Sequence, residues 1–426
     1  MMVTTSPSIW SSFDAFKGRT HKGSAYIDRI YEEAREALEE LPTPTKKTEA
    51  WKYTPLTGIS KTAWSTAKEA SMFNVEELDL PAIDAYMVWV IDGEVILEES
   101  ELPEGVQLLT MSEAKDLETD HFESVFGQLA DHKNDMMVAL NTTFANGGIY
   151  LHVAKRAILD KPIHLVHVYS QTNTAVFNRH MVVMDEGTEA HVLCSTFHAD
   201  GSIFSNMVTE VLLADNAKLT LDRLQRGTAE SSHFSTEEVH QGRDAVFTQN
   251  TITLSGGWTR NEPHVRFKGE NGLCDLNGAY MPHGKDLVDN HSIIDHLVPR
   301  CESHELYKGV IYDQAKGVFN GKVFVRPDAQ KTNAYQQNAN ILMTENGSMN
   351  SKPELEIYAD DVKCSHGSTT GQLDQEALFY LQCRGLSHAK AKQMLVNAFV
   401  GEVIERLSSH ELREWVWSRF EEKLSV

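Results

Sequence analysis

A nearly constant spacing between small polar turns constrains the fold of this chain more than any other feature. From about residue 150 to 370 the sequence consists of short β-rich runs. Four turns between these runs are centred on Gly187, Asn216, Gly242 and Asn271, at intervals of 29, 26 and 29 residues. Each interval holds two strands and two turns, and a fixed period in a β-rich segment is typical of a solenoid. We therefore predict a parallel β-helix, with a β-sandwich as the alternative, because regular turns between strands suit it as well.

Helical patterns flank this segment. Residues 23–41 carry apolar side chains at three- and four-residue steps, and Pro42 follows them. Beyond the β-rich segment a second helical pattern ends at Gly385, a residue suited to a left-handed helix cap. We expect an N-terminal helical and mixed region at 1–149, a β-helix core at 150–372 and a C-terminal helical region at 373–426.

The last predicted helix carries two tryptophans. A capping-box pattern from Ser408 to Glu411 opens it, and Trp415 and Trp417 follow. Large aromatic residues at this spacing serve either as a docking face for a partner protein or as packing against the protein's own core. The second arrangement is the more frequent one.

Composition and charge exclude several classes of protein. Lys and Arg number 39 against 61 Asp and Glu, so the formal net charge is −22. Nucleic acids and anionic membranes are bound by clustered basic residues, which argues against both as partners. The longest apolar run in the first hundred residues, Tyr86 to Ile91, is too short to span a bilayer. Five cysteines without a CxxC pair fit a reducing compartment, and we expect a cytoplasmic protein.

Several catalytic and nucleotide-binding motifs are missing from the sequence. No GxxxxGK[ST] string occurs, and the nearest candidate, which starts at Gly317, has the wrong spacing and lacks the hydroxyl that binds Mg²⁺. GxGxxG, HExxH and GxSxG are absent as well. We therefore expect no nucleotide in this chain.

Histidine is unusually frequent in the β-rich segment. Thirteen of the 19 histidines fall between His152 and His304. Dispersed histidines in strands are more often polar decoration than metal ligands. Strand alternation puts Asp289, His291 and Asp295 on one face, either as a carboxylate-oriented histidine ligand or as a solvated hydrogen-bonding ladder. We favour the ladder.

Cys364 and His366 form the sharpest candidate metal site. Residues two apart in a strand point the same way, so the thiolate and the imidazole converge. Soft sulfur with imidazole suits zinc, iron or an iron–sulfur intermediate. Two ligands cannot close a site, so others must come from elsewhere, for example from another subunit. The alternative is a buried small thiol beside a surface histidine, and the remaining cysteines are interpreted as structural.

Several segments resemble a known family. KTEAWKYTPL near the N-terminus, DLVDNHSIIDH, ELYKGVIYDQAKGVFNGKV, AQKTNAYQQNANILM and KPELEIYADDVKCSHGSTTGQLDQEALFYLQCRG are similar to the SufB/SufD family of the SUF iron–sulfur cluster assembly system. The similarity is dense from about 286 to 385. The form of the Cys364–His366 tract, and the absence of an early CxxCxxxC motif, resemble the SufD branch more than the SufB branch.

The resemblance implies a fold and a role. The family fold is a right-handed parallel β-helix core flanked by helical N- and C-terminal regions, which favours the solenoid over the sandwich. By resemblance, the chain is a scaffold subunit without turnover of its own. It pairs with a SufB-like paralogue through the β-helix and docks a SufC-like ATPase through its C-terminal helices. A transient iron–sulfur cluster or iron lies at the subunit interface, with His366 as the matching ligand position and Cys364 beside it.

Two other hypotheses stay open on the sequence. A stand-alone metal-dependent or polysaccharide-acting enzyme on a β-helix would need a cleft lined by several carboxylates or bases. A homodimer is possible for the isolated chain, because a strand edge around residues 355–370 can pair with a copy of itself.

Overall fold

The computed structural model describes residues 9–18, 24–68, 78–97, 101–116, 120–145 and 147–424. Its α-helices are α1 (Ala25–Glu40), α2 (Thr57–Lys61), α3 (Met111–Asp116), α4 (Asp120–Val125), α5 (Met136–Phe144), α6 (Gln375–Cys383), α7 (His388–Ile404) and α8 (His410–Leu424). Two 3₁₀ helices span Ile9–Phe16 and Glu49–Trp51.

The strands fall into a short N-terminal set and a long repetitive set. The first set is β1 (Ser65–Thr66), β2 (Tyr86–Ile91), β3 (Glu94–Leu97) and β4 (Val106–Thr110). The second is β5 (Ile149–Val153), β6 (Ile163–Tyr169), β7 (Thr174–Met184), β8 (Glu189–His198), β9 (Ile203–Leu213), β10 (Lys218–Arg226), β11 (Ser231–Gln241), β12 (Val246–Ser255), β13 (Trp258–Phe267), β14 (Leu273–Tyr280), β15 (Leu287–His296), β16 (Glu302–Ile311), β17 (Lys316–Val325), β18 (Asn333–Leu342), β19 (Ser348–Ser351), β20 (Glu354–Ile357) and β21 (Lys363–Gln372).

These strands form a parallel β-solenoid. Within the described residues they make two sheets of eleven and ten strands, and consecutive strands from β5 to β19 alternate between the sheets. β19 and β20 both pair with β17 in the larger sheet. Lys218 pairs in parallel with Glu189 on one side and Val246 on the other, 29 and 28 residues away. The antiparallel pairs β2–β3 and β4–β5 extend both sheets into the segment before residue 150. The predicted parallel β-helix is confirmed, and the sandwich is wrong.

The predicted turns recur along one edge of the solenoid. Gly187, Asn216 and Asn271 have positive φ, the conformation that glycine and asparagine adopt most readily. In the third turn the residue with positive φ is Asp244, two residues after the predicted Gly242. Gly187 N donates to the next turn at Asp215 O over 3.0 Å, so the stacked turns are tied to each other.

Aligned apolar side chains fill one side of the solenoid interior. Equivalent positions of successive strands are buried and β-branched: Val182, Val211, Val239, Val265, Ile294 and Val323. Such residues pack well on a pleated surface, and burying each one stabilises the fold by about 1.5–3 kcal/mol.

The N-terminal region is anchored to the outer face of the larger sheet. Trp51, from the KTEAWKYTPL segment, stacks on Phe234 with ring centroids 6.0 Å apart. The buried Arg260 guanidinium lies 4.0 Å from the centroid of the Trp51 ring. Arg260 also donates to the Ala50 carbonyl over 2.8 Å. This tract therefore fastens the first helices to the solenoid.

The C-terminal helices cover the outer face of the smaller sheet. Val396, Val400 and Val403 of α7 are buried in one cluster with strand residues such as Leu306. Lys308 Nζ bonds the Phe399 carbonyl over 2.9 Å. The helical ends of the expected architecture are confirmed.

Candidate functional site

The last strand of the smaller sheet, β21, is an open edge. It pairs in parallel with β18 over its whole length, from Asn333–Lys363 to Leu342–Gln372. Among the described residues no strand pairs with its other side. Its sequence, KCSHGSTTGQ, has a single Lys and no proline, aspartate or glutamate, so it has little of the protection that edge strands usually carry. The free backbone groups of β21 are therefore suited to pair with another chain.

Cys364 and His366 both lie in this edge strand and on the same face of it. Cys364 is in register with Ala334 and His366 with Gln336, and these two β18 residues are buried. Cys364 is half-buried against the main apolar core, whereas His366 is exposed. Burial raises the pKa of the Cys364 thiol, so a metal would have to displace its proton.

Cys364 and His366 have no third protein ligand among the residues that the structure describes. Within the described residues, the grouping of His, Cys, Asp and Glu side chains at metal-binding distances includes neither Cys364 nor His366. A site built on them is therefore open. It would need ligands from outside the residues described.

The neighbours of His366 on the next strands of the smaller sheet, β18 and β16, are polar. His366 lies next to Gln336, which in turn lies next to Glu305 in register. Gln336 Nε2 and the Ser292 hydroxyl both donate to the Glu305 carboxylate. Burial raises the pKa of Glu305 to about 7, although both hydrogen bonds act to lower it. An open cavity of about 560 Å³, lined among others by Tyr335, lies alongside this row.

The second candidate, Asp289 with His291 and Asp295, is not a site of either predicted kind. All three side chains are buried, so the solvated ladder is wrong. Asp289 accepts from Arg260 Nη1 over 2.6 Å, and Asp295 accepts from Arg326 Nε over 2.7 Å. The carboxylates therefore neutralise arginines rather than orient a ligand histidine. Burial, with the nearby Arg260, holds the pKa of His291 well below its usual range.

The solenoid interior holds a thiol–histidine contact that sequence reasoning missed. The Cys194 Sγ and His167 Nδ1 atoms are 3.6 Å apart, and His167 Nε2 lies 3.0 Å from His180 Nε2. Desolvation lowers the pKa of His180 to about 3 and that of His167 well below normal, so both imidazoles are neutral. His167 and Cys194 meet because β6 pairs with β8, and His180 joins them from β7 of the facing sheet. Their spacing along the chain carries no motif.

Of the two arrangements considered for the last helix, Trp415 adopts the packing against the protein's own core. Trp415 is buried, and its Nε1 donates to Asp79 over 3.1 Å, so it packs on the protein's own fold. Phe379 and Tyr380 of α6 and Met394 of α7 are instead 68%, 57% and 53% exposed. These three residues are called the α6–α7 patch below. No helix within the described residues is both long and apolar enough to cross a bilayer.

The fold and the edge strand together define the class of protein: a parallel β-solenoid with helical ends and an open strand edge at β21. Comparison with known families then identifies the family. Residues 167–399 match the SufBD core domain of the SUF system for FeS cluster assembly, and residues 13–165 match the SufBD N-terminal region. The chain belongs to the SufB/SufD family of iron–sulfur cluster assembly proteins.

Individual relatives agree with this. The chain is 30% identical to the iron–sulfur cluster assembly protein SufD of Escherichia coli, with 89% of each chain covered. It is 25% identical to SufD of Bacillus subtilis, with 95% of each chain covered. It is also 30% identical to the chloroplastic protein ABCI7 of Arabidopsis thaliana, over 91% of this chain and 84% of that one. The predicted resemblance is confirmed.

Proposed function

We propose that this chain is a non-catalytic scaffold subunit of a cytoplasmic SUF complex, which pairs with a SufB-like subunit and a SufC-like ATPase. The observation that carries the proposal is the open, nearly uncharged edge of β21 with Cys364 and His366 on it. Family membership supports an assembly role over a stand-alone β-helix enzyme. The five free cysteines are in keeping with a reducing compartment.

In this proposal β21 forms the subunit interface by strand addition. An equivalent edge of a SufB-like chain would continue the smaller sheet across the two subunits, with backbone hydrogen bonds supplying much of the affinity. Iron or a transient iron–sulfur cluster would be bound at this junction. His366 and Cys364 would supply ligands from this side and the partner the remainder.

Charge placed on the edge tests the pairing. A Cβ atom at Gly367 or at Gly371 would meet nothing within 4 Å, so lysine fits at both positions without disturbing the free chain. Gly367→Lys with Gly371→Lys should abolish co-purification with the SufB-like subunit and leave the circular-dichroism spectrum of the free chain unchanged. Gly58→Lys, at an equally open position in α2, is the control. Pairing that survives the double substitution would refute the interface.

Removal of the ligands tests the metal site separately. His366→Ala should leave the complex intact and lower the iron and sulfide that co-purify with it, and Cys364→Ala should do the same. The exposed His410 and Cys383 provide matched controls, as His410→Ala and Cys383→Ala. If His366→Ala and Cys364→Ala retain the wild-type amounts of iron and sulfide, these two residues are not ligands, and the proposed scaffold role is unaffected.

The α6–α7 patch is the proposed ATPase docking surface. Exposed aromatic side chains on a short helix that buries only Leu378 are typical of a contact with a partner. Phe379→Ser should weaken ATPase binding without changing the stability of the free chain. Ile158→Ser, which removes an equally exposed apolar residue from the solenoid, should leave binding intact.

Self-association is the competing outcome for the isolated chain. The same edge can pair with a copy of itself, so sedimentation at several concentrations should show a dimer that the double lysine variant dissociates. Addition of the SufB-like subunit should replace this dimer by the heteromer. A dimer that persists in its presence would favour a homodimeric interaction protein.

A further inference from the structure

Two histidines and an aspartate meet on the surface where the N-terminal region joins the first solenoid turns. His121 lies in α4, His152 lies in β5, and Asp185 directly follows β7. One ligand atom of each lies within 4.8 Å of the others. In the described part of the chain, this is the group of His, Cys, Asp and Glu side chains with spacing suited to a metal ion. It lies in a different part of the fold from β21.

Backbone pairing places two of the three ligands. β5 and β7 are parallel neighbours, with His152 in register with Val183. Asp185 N donates to the Val153 carbonyl over 2.9 Å, which holds the aspartate beside the end of β5. His152 Nε2 consequently lies 3.2 Å from Asp185 Oδ2.

The third ligand comes from the N-terminal region. The His121 ring stacks on the His152 ring with centroids 4.9 Å apart and an interplanar angle of 29°. The next residue, Phe122, is buried and lies 6.1 Å from Tyr150, so α4 is held against β5. His121 itself is exposed, whereas His152 and Asp185 are half-buried.

The donor set indicates the ligand. Bonds of about 2.1 Å to a common centre need ligand atoms no more than about 4.2 Å apart, so the bound ion would draw the exposed His121 side chain slightly closer to the other two. Two imidazoles and one carboxylate suit divalent first-row transition ions, whereas magnesium and calcium prefer oxygen. Three protein ligands leave coordination positions for water.

We propose that His121, His152 and Asp185 bind one divalent first-row transition metal ion, such as Zn²⁺ or Fe²⁺. The ion would link α4 to two strands of the solenoid and so tie the N-terminal region to the core. Because only the folded chain assembles the three ligands, the ion should raise the melting temperature of the protein. This site is independent of the proposed role of β21.

Titration of the metal-stripped full-length chain tests the site. Co²⁺ absorption and Zn²⁺ calorimetry should show one ion bound per chain. His152→Ala, Asp185→Asn and His121→Ala should each weaken binding by at least about 10-fold and remove the rise in melting temperature. His410→Ala is the control, since His410 is exposed, lies 3.3 Å from Glu414 and belongs to no metal-binding group among the described residues. His366→Ala should also leave this ion in place.

Two results would overturn the assignment. One is wild-type affinity and stoichiometry in folded His121→Ala, a substitution on the surface that leaves the β5–β7 pairing intact. The other is equal weakening by His410→Ala or His366→Ala, which would show adventitious binding or an ion held at β21.

Discussion

The buried carboxyl group of Glu305 should make the stability of this protein depend on pH in a predictable way. Glu305 of β16 is in register with Gln336, the β18 neighbour of His366, and its side chain is buried. Glu305→Gln keeps the shape and removes the titrating proton. Gln336 can accept a hydrogen bond from the new amide, because its Oε1 has no partner in the described structure.

The sign follows from the direction of the pKa shift. Burial raises the pKa of Glu305 from its usual 4.5 to about 7, so the folded chain keeps a proton that the unfolded chain releases. The contribution of this protonated carboxyl group to the free energy of unfolding is fully present below pH 4.5 and is lost as pH rises through about 7. One pKa unit corresponds to about 1.4 kcal/mol, so the loss reaches about 3 kcal/mol at high pH.

Urea unfolding followed by circular dichroism at several pH values provides the assay. The free energy of unfolding of Glu305→Gln minus that of the wild type should rise by about 2.5 kcal/mol from pH 5 to pH 8.5. Glu345→Gln, which removes an exposed carboxylate, is the control and should show no such rise. A difference that stays constant with pH would refute the protonated buried carboxyl group.

Three further predictions concern burial and charge elsewhere in the fold. Glu210→Ala should destabilise the chain by about 3–5 kcal/mol in urea unfolding, because it leaves the buried Arg179 guanidinium without the carboxylate 2.6 Å away; a loss under 1 kcal/mol would contradict this. A thiol reagent should modify two of the five cysteines in the native chain, Cys364 and Cys383, because the other three are buried. All five should react after denaturation. Five fast-reacting thiols in the native chain would show that the solenoid is open. Trp415→Ala should lower stability by about 3 kcal/mol, as expected of a core residue, and a variant of wild-type stability would restore the docking interpretation.

Local patterns in the sequence were sufficient to predict the repeat. A turn with positive φ favours glycine, asparagine or aspartate, and Gly187, Asn216, Asp244 and Asn271 mark four successive coils in this way. In the next two coils Arg300 and Lys331 take the same conformation, so the sequence mark is missing there. Strand alternation is equally local, and it correctly placed Cys364 and His366 on one face of one strand. Membership of the SufB/SufD family was likewise visible in the linear motifs.

The burial of side chains on the outer faces of the two sheets could not be predicted from local patterns in the sequence. Asp289 and His291 alternate as a solvated strand would, but the N-terminal tract around Trp51 and Thr54 covers that face. Nothing near Asp289 in the sequence shows that a segment more than two hundred residues away lies on it. Trp415 is similar, because its partner Asp79 is equally remote.

The clusters of functional groups were decided by tertiary structure alone. Cys194 meets His167 across paired strands, and His152 meets Asp185 and His121 from three different elements. The sequence determined the period of the coil and therefore the fold. Strand register and the docking of the helical ends decided which side chains meet, because neighbouring strands of one sheet are about one coil apart in the sequence and facing strands about half a coil apart.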